Sequence, residues 1–345
     1  MAIVIHGPVV MADGYGKALI NLVRGLLAEG QETLVVPTNF VGDDVPEEVI
    51  DVMISPRHNR FFETGVLFAT PDMNEFHRMR ARRKVVYSMY EFNRIPQYWK
   101  MVLKAADLCV VPTHQVRSIW MANTDKPVRV VPLGYDPAVF YPEECQVEEN
   151  DILEFICYGT LQARKSPLLA IEAFEQASAA YVPTRARLTV KSVKEMPVHC
   201  GQKLENTRIF NEDFVETSLA SSVRHSDVLL YPTRSEGFGM PILEATACGL
   251  VTIFPSHVVS GTFIEPTVPL KTYGDEAMVN LLGNQGSHPQ VGFMDMLMAI
   301  TSVIEDFHRN PEMSWEARMR KANWVKKEFS YRAVARKFLD VLESV

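Results

Sequence analysis

Cysteine is scarce in this chain: five residues in 345, at positions 109, 145, 157, 200 and 248, odd in number and with no C-x-x-C pair. That spacing argues against a disulfide framework and offers no zinc or redox motif. Cys109 and Cys157 lie in apolar, strand-like runs and read as buried reduced thiols. No apolar run approaches the length of a membrane span, and Met1 to Gly7 has no basic segment ahead of a long apolar core. A cytoplasmic protein is expected. A basic excess is missing too: the formal net charge is −7, which argues against a general polyanion binder. What is present is ordinary globular material, 47% hydrophobic and 22% charged, in a chain long enough for two domains.

Short apolar runs alternate with helical patterns. Residues 2–5 predict a strand, and the turn Asp13-Gly14-Tyr15-Gly16 leads into a helix from about Lys17, whose Leu19, Leu22, Val23, Leu26 and Leu27 recur at helical spacing until Gly30. Further strands are expected at 33–36, 66–68, 85–87, 108–111 and 128–131. An acidic, turn-rich stretch from Tyr141 to Asp151 reads as an interdomain linker, after which the pattern restarts with a strand at 155–158, a helix at 167–179 and a strand at 188–190. The economical architecture is α/β: two doubly wound halves, 1–145 and 151–330, with a cleft between them. The last segment, 331–345, places Val334, Phe338, Val341, Leu342 and Val345 on one helical face.

The most informative stretch runs from Arg234 to Gly249, RSEGFGMPILEATACG, where Glu236 and Glu244 are separated by seven residues. The apolar run 228–231 before it predicts a buried strand, Gly237 and Gly239 a tight turn, and Pro241 the first turn of a helix that Gly249 ends. Glu236 then hangs at the carboxyl end of a strand, and Glu244 lies about one turn into the next helix. A helix start with unpaired N–H groups favours a phosphate, and the two carboxylates suit hydroxyl groups. A phosphorylated sugar fits both.

At these residues the chain resembles the retaining GT-B nucleotide-sugar glycosyltransferases of the family 4 type. The resemblance extends over nearly the whole chain. Ala106 to Thr113 and Val130 to Pro142 look like the end of the family's acceptor-side domain, and Tyr158-Gly159-Thr160-Leu161-Gln162-Ala163-Arg164-Lys165-Ser166 is similar to the opening loop of its donor domain. The resemblance implies a GT-B fold of two Rossmann-like domains, 1–145 and 151–330, with the final helix, 331–345, crossing back to the first. It also implies retaining transfer from a nucleoside diphosphate sugar, a UDP-sugar above all, to an acceptor hydroxyl. No cofactor is expected. With no D-x-D motif, metal-independent transfer is expected, and no residue stands out as a covalent nucleophile; the resemblance implies that the leaving diphosphate takes the acceptor proton.

By the same resemblance Glu236 serves the donor sugar and Glu244 the nucleotide ribose. The backbones of Gly237, Phe238, Gly239 and Met240 meet sugar hydroxyls or phosphate, and Phe238 reads equally as a core residue. Lys165 neutralises the departing diphosphate. The family usually has an arginine directly after the glycine of this loop; here the position is Thr160, and Arg164 is the candidate substitute. Gly14 and Gly16 mark where the family brings backbone against the donor, although G-x-G alone is weak and lacks the third glycine of a dinucleotide fingerprint.

On the acceptor side, Tyr90 and Glu91 stand where many relatives have a histidine, and Glu91 reads either as a base or orienting group or as a structural carboxylate. The single cationic run, His77 to Lys84, offers Arg78, Arg80, Arg82 and Arg83 to an anionic acceptor such as nucleic acid or a lipid headgroup, or is a solvated cluster. The acceptor class is left open among glycan, lipid, small molecule and modified nucleic acid. A catalytically silent scaffold binding nucleotide sugar or a partner protein, a sugar-nucleotide epimerase and a phosphorylase are the alternatives.

Overall fold

The computed structural model describes residues 2–143, 152–160, 162–180, 186–192, 204–212, 215–258, 263–279, 285–309 and 315–344. Most of the expected linker, with Cys145, and also Leu161, Cys200 and Val345 lie outside the described residues. The chain forms two compact units, Met1–Pro137 with Lys327–Val345, and Ala138–Lys326. No helix among the described residues is long and apolar enough to cross a membrane.

The first unit runs β1 (Ile3–Val9), α1 (Gly14–Ala28), β2 (Thr33–Val41), α2 (Glu47–Ile50), β3 (Phe62–Phe68), α3 (Met73–Arg78) and β4 (Ala81–Tyr87). It continues through α4 (Gln97–Ala105), β5 (Leu108–Val111), α5 (His114–Met121) and β6 (Val128–Val130). Its sheet has the order β2, β1, β3, β4, β5, β6, with every pairing parallel. All seven residues of β1 are buried, as a central parallel strand covered on both faces requires. Helix α1 starts three residues earlier than its apolar spacing predicts, because the Asp13 carboxylate accepts from Gly16 N at 3.2 Å and caps it.

The second unit runs β7 (Leu153–Gly159), a 3₁₀ turn (Ala163–Lys165), α6 (Pro167–Ala180), β8 (Ala186–Ser192), β9 (Thr207–Phe210), α7 (Glu216–Arg224), β10 (Val228–Leu230) and α8 (Met240–Ala247). Then come β11 (Val251–Pro255), β12 (Val268–Leu270), the antiparallel hairpin of β13 (Thr272–Val279) and β14 (Gln285–Val291), and α9 (Phe293–Arg309). The six-stranded sheet is again all parallel, in the order β12, β11, β10, β7, β8, β9. Phe155, Leu188, Leu230 and Ile253 from its strands pack with Phe174 of α6 and Ile300 and Ile304 of α9 in one core.

Helix α10 (Trp315–Phe329) carries the chain out of this unit, and α11 (Tyr331–Glu343) completes the first. The predicted apolar face of α11 buries Val334, Phe338 and Leu342, and Phe338 stacks on Tyr87 with centroids 5.8 Å apart. Arg332 and Arg336 both pair with Glu29 at the end of α1, at 2.6 and 2.8 Å.

Each sheet has one place where successive connections diverge in opposite directions. In the second unit it falls between β7 and β10, which are neighbours. The loops leaving their carboxyl ends bound the crevice in which ligands of such sheets bind.

Candidate active site

Those two loops are the stretches beginning at Gly159 and Tyr231. Gly159, at φ +123°, leaves its α-carbon bare on the side where Lys165 Nζ comes in, 3.4 Å from the position a Cβ would take. The 3₁₀ turn that follows delivers Arg164 and Lys165 side by side. From the other loop, Gly239 at φ +90° reverses the backbone into α8, a conformation that only glycine adopts readily.

The two cations meet one carboxylate. Glu236 Oε1 lies 2.9 Å from Arg164 Nη1 and 3.6 Å from Lys165 Nζ, and it also accepts from Tyr231 Oη at 3.0 Å and Thr233 Oγ1 at 2.9 Å. Lys165 Nζ donates to Tyr231 Oη at 2.7 Å. Arg164 Nη1 reaches Ser235 O at 2.5 Å as well. The exposure of the three charged side chains is only 8 to 11%. Burial by itself would raise the Glu236 carboxyl; Arg164 and Lys165, with Thr233 and Tyr231 donating, overcome it and hold the group down at about 2. Burial, followed by the Glu236 charge, pushes the Tyr231 phenol far up, so it stays a neutral donor.

Glu244 lies one turn into α8, as its spacing predicts. It is buried, and its Oε2 accepts from Tyr158 Oη at 3.0 Å, while the same phenol lies 3.1 Å from Pro241 O. Phe238 is buried beside the turn and Met240 is half-buried. Tyr158, Tyr231 and Thr233 were not singled out by sequence reasoning. The available signal was a polar-tipped aromatic ending an apolar strand, at 158 and again at 231.

Residues 153–265 match the family model described as glycosyl transferases group 1. Comparison with curated proteins gives no match. Among solved structures, HepE of Anabaena in complex with UDP and glucose is similar with a TM-score of 0.69 at 11% identity, over 100% of both chains. A sucrose-phosphate synthase from Thermosynechococcus elongatus is similar at 0.66 and 13% identity, over 100% of this chain and 98% of that one. A glycosyltransferase from Rickettsia africae gives 0.69 at 12% identity, over 99% and 98%. The fold is GT-B.

In this GT-B chain Thr160 stands where the resemblance implied an arginine, and Arg164 is turned onto Glu236 and Ser235. The first unit has its own polar focus. Tyr15 Oη donates to Met89 O at 2.7 Å, accepts from Met89 N at 3.1 Å and lies 2.9 Å from Ser88 Oγ, which ties the Gly14 and Gly16 turn to the loop after β4. The amides at the start of α1 already face an anion, the Asp13 carboxylate, whose pKa burial raises against the hydrogen bonds from Gly16, Tyr15 and Gly14. Glu91 is half-buried nearby, and its charge adds to the burial that raises the Tyr15 phenol.

The other acceptor-side candidates are not brought together. Tyr90 is buried against Trp99, ring centroids 4.7 Å apart, and its hydroxyl donates to Arg94 O at 2.6 Å. Arg78 pairs with Glu75 within α3, Arg82 with Glu63 on β3, and Arg83 donates to Leu342 O of α11 at 2.5 Å. Arg80 is exposed just before β4. These four stand at the amino end of β4 and Ser88 to Glu91 at its carboxyl end, roughly 20 Å apart for a seven-residue strand.

Proposed function

We propose that this protein is a retaining, metal-independent glycosyltransferase that moves a sugar from a nucleoside diphosphate sugar, a UDP-sugar above all, to an acceptor hydroxyl. The observation that carries the reading is the convergence of Arg164, Lys165 and Glu236 at the crevice between β7 and β10 of a GT-B fold. Metal independence rests on the missing D-x-D motif, together with two cations that do a metal's electrostatic work.

The chemistry divides the labour among these groups. Lys165 faces the departing diphosphate and offsets the charge that grows on it. Glu236, held near 2, is too weak a base to take a proton at neutral pH. Its part is to accept a hydrogen bond from a donor hydroxyl and to oppose positive charge developing at the anomeric carbon. The acceptor proton therefore goes to the leaving diphosphate. Glu244, steadied by Tyr158, takes the ribose hydroxyls, and the amides of Gly237 to Met240 take phosphate or sugar oxygens. In the first unit, Gly14 and Gly16 bring backbone to the donor and Glu91 orients the acceptor hydroxyl. Cys109, Cys157 and Cys248 are buried free thiols, which suits a cytoplasmic location.

One observation favours a second reading, a catalytically silent binder of nucleotide sugar: Arg164, the only cation beside Lys165 in the loop, is committed to Glu236 and Ser235. The two readings differ in turnover. A thermal-shift screen over uridine, guanosine, adenosine and thymidine diphosphate sugars, followed by mass spectrometry of donor hydrolysis, separates them. Stabilisation with hydrolysis supports the transferase, stabilisation without it the binder, and no stabilisation by any donor sinks both.

A further inference from the structure

Arg234 lies between β10 and the Glu236 turn. Its backbone N–H donates to Arg164 O at 2.8 Å and its Nε to Ser166 Oγ at 3.2 Å. Those two acceptors flank Lys165 on either side. Ser166 has φ +47°, the left-handed region that a residue with a Cβ disfavours, so the loop needs something to hold it there.

Arg234 is itself held from a different part of the fold. Its Nη1 pairs with Glu276 on β13, and its carbonyl accepts from His257 Nε2 at 2.9 Å. A single residue, Lys271, separates β12 from β13, so the hairpin rises from the same carboxyl edge of the sheet that presents Lys165 and Glu236. Its base is fixed by Tyr273 Oη donating to Asp295 Oδ2 of α9 at 2.5 Å. Opposite Glu276 in the ladder stands His288, a buried ring whose pKa is lowered to about 4 by burial and then by the charges of Arg164 and Arg234. The hairpin thus carries a carboxylate gripping Arg234 and a neutral imidazole beside both arginines. It also lies beyond the segment 153–265 that matches the group 1 model.

We infer that Arg234 is a positioning residue of the donor site, and that the β13 and β14 hairpin, through Glu276, sets where Arg234 holds the loop bearing Arg164 and Lys165. This rests on the donor reading above. The hairpin is on this view a working wall of the site and governs how tightly the diphosphate end of the donor is held, while leaving the bond-breaking step to Lys165 and Glu236.

The test uses the full chain with UDP as probe and two readouts, calorimetric affinity and hydrogen exchange of the Lys165 and Ser166 amides, which bond Gln162 O at 2.8 Å and Ala163 O at 3.0 Å. Glu276 is half exposed, so Glu276→Ala is expected to fold. It should weaken UDP binding three- to tenfold, speed exchange of both amides at least tenfold and lower kcat for donor hydrolysis by less than Lys165→Met does. Placed on Arg234→Ala, the same change should add nothing, because the hairpin acts through Arg234. Glu305→Ala, which removes an exposed ion pair on α9, is the control and should move neither readout. Unchanged affinity and exchange in Glu276→Ala, or full additivity with Arg234→Ala, overturns the inference. If the wild-type chain binds no UDP or other nucleoside diphosphate, the donor reading fails by itself; the exchange readout then decides whether the hairpin holds the loop, and unaltered exchange overturns that too.

Discussion

Tyr158 Oη lies 3.0 Å from Glu244 Oε2 and 3.1 Å from Pro241 O, so one phenol from the end of β7 ties a carboxylate to the first turn of the helix that carries it. The phenol is fully buried, and burial, followed by the Glu244 charge, pushes its pKa far up. It is a permanent donor. Glu244 therefore meets a ligand already oriented.

Replacing Tyr158 by Phe removes that donor and leaves the buried carboxylate short of a hydrogen bond worth about 1.5–3 kcal/mol. UDP affinity should fall about tenfold in calorimetry, with the turnover of bound donor little changed. An equal loss for inorganic pyrophosphate, which has no ribose, would count against a ribose role for Glu244.

Glu236→Gln breaks the charge balance of a buried cluster and leaves Arg164 and Lys165 facing a neutral amide. Donor turnover should drop by roughly 10²–10³-fold, the scale of removing one preorganised electrostatic contact. Denaturant titration should show a loss of about 3 kcal/mol, as for a buried ion pair losing one member.

The same carboxylate gives a signed acid dependence. Its folded pKa of about 2 lies below the ordinary 4.5, so its stabilisation is complete above pH 4.5 and is lost as pH falls towards 2. The wild type should lose about 3 kcal/mol across that window beyond whatever Glu236→Gln loses. Parallel curves for the two proteins would refute the pairing.

Lys165→Met removes the amine that meets Tyr231 and Glu236 while keeping a stem of similar length. If Lys165 faces the leaving diphosphate, kcat should fall about 10²-fold or more, and UDP binding by less. Steady-state kinetics alongside calorimetry separates the two effects. An affinity loss matching the rate loss would make Lys165 a binding group only.

His6 supplies a test in the other unit. It is buried on β1 with no hydrogen-bond partner for either ring nitrogen among the described residues, and its pKa is lowered to about 4 by burial, then by His58 and Lys84. Unfolded, it binds a proton below about 6.5. Stability from this group is thus present above pH 6.5 and lost as pH falls to about 4, by about 3 kcal/mol. His6→Leu should be more stable than wild type at pH 5 and flatten this part of the curve in chemical denaturation.

The alternating apolar runs carried most of the fold into view, because buried parallel strands such as β5 and β10 are continuously hydrophobic. The glycine turn and the seven-residue spacing also located Glu236 and Glu244 correctly at the end of β10 and one turn into α8. Less legible was what each carboxylate would touch. Tyr158 meets Glu244 and Tyr231 meets Lys165 only after β7 and β10, far apart in sequence, become neighbours, while the bonds of Tyr231 and Thr233 to Glu236 depend on how the loop after β10 turns back on itself. The hairpin was missed because its strands carry polar residues, proline and glycine in place of a clean alternation. The arginine run was legible only as a charge cluster, open between an anionic acceptor and a solvated surface; its place at the amino end of β4 and the pairing of two members with Glu75 and Glu63 depend on strand direction and on neighbours that the run itself does not encode.

The first unit is closed by the final helix, whose Phe338 lies on Tyr87 and whose arginines grip Glu29. During synthesis the ribosome must therefore make some 190 residues of the second unit before the missing helix of the first becomes available, a delay of roughly ten to forty seconds at ordinary elongation rates. Throughout that interval β4 and α1 wait with an uncovered apolar face. The second unit, contiguous in sequence, is free to mature while the older half of the chain stays exposed to chaperones, so the half made first is the half finished last.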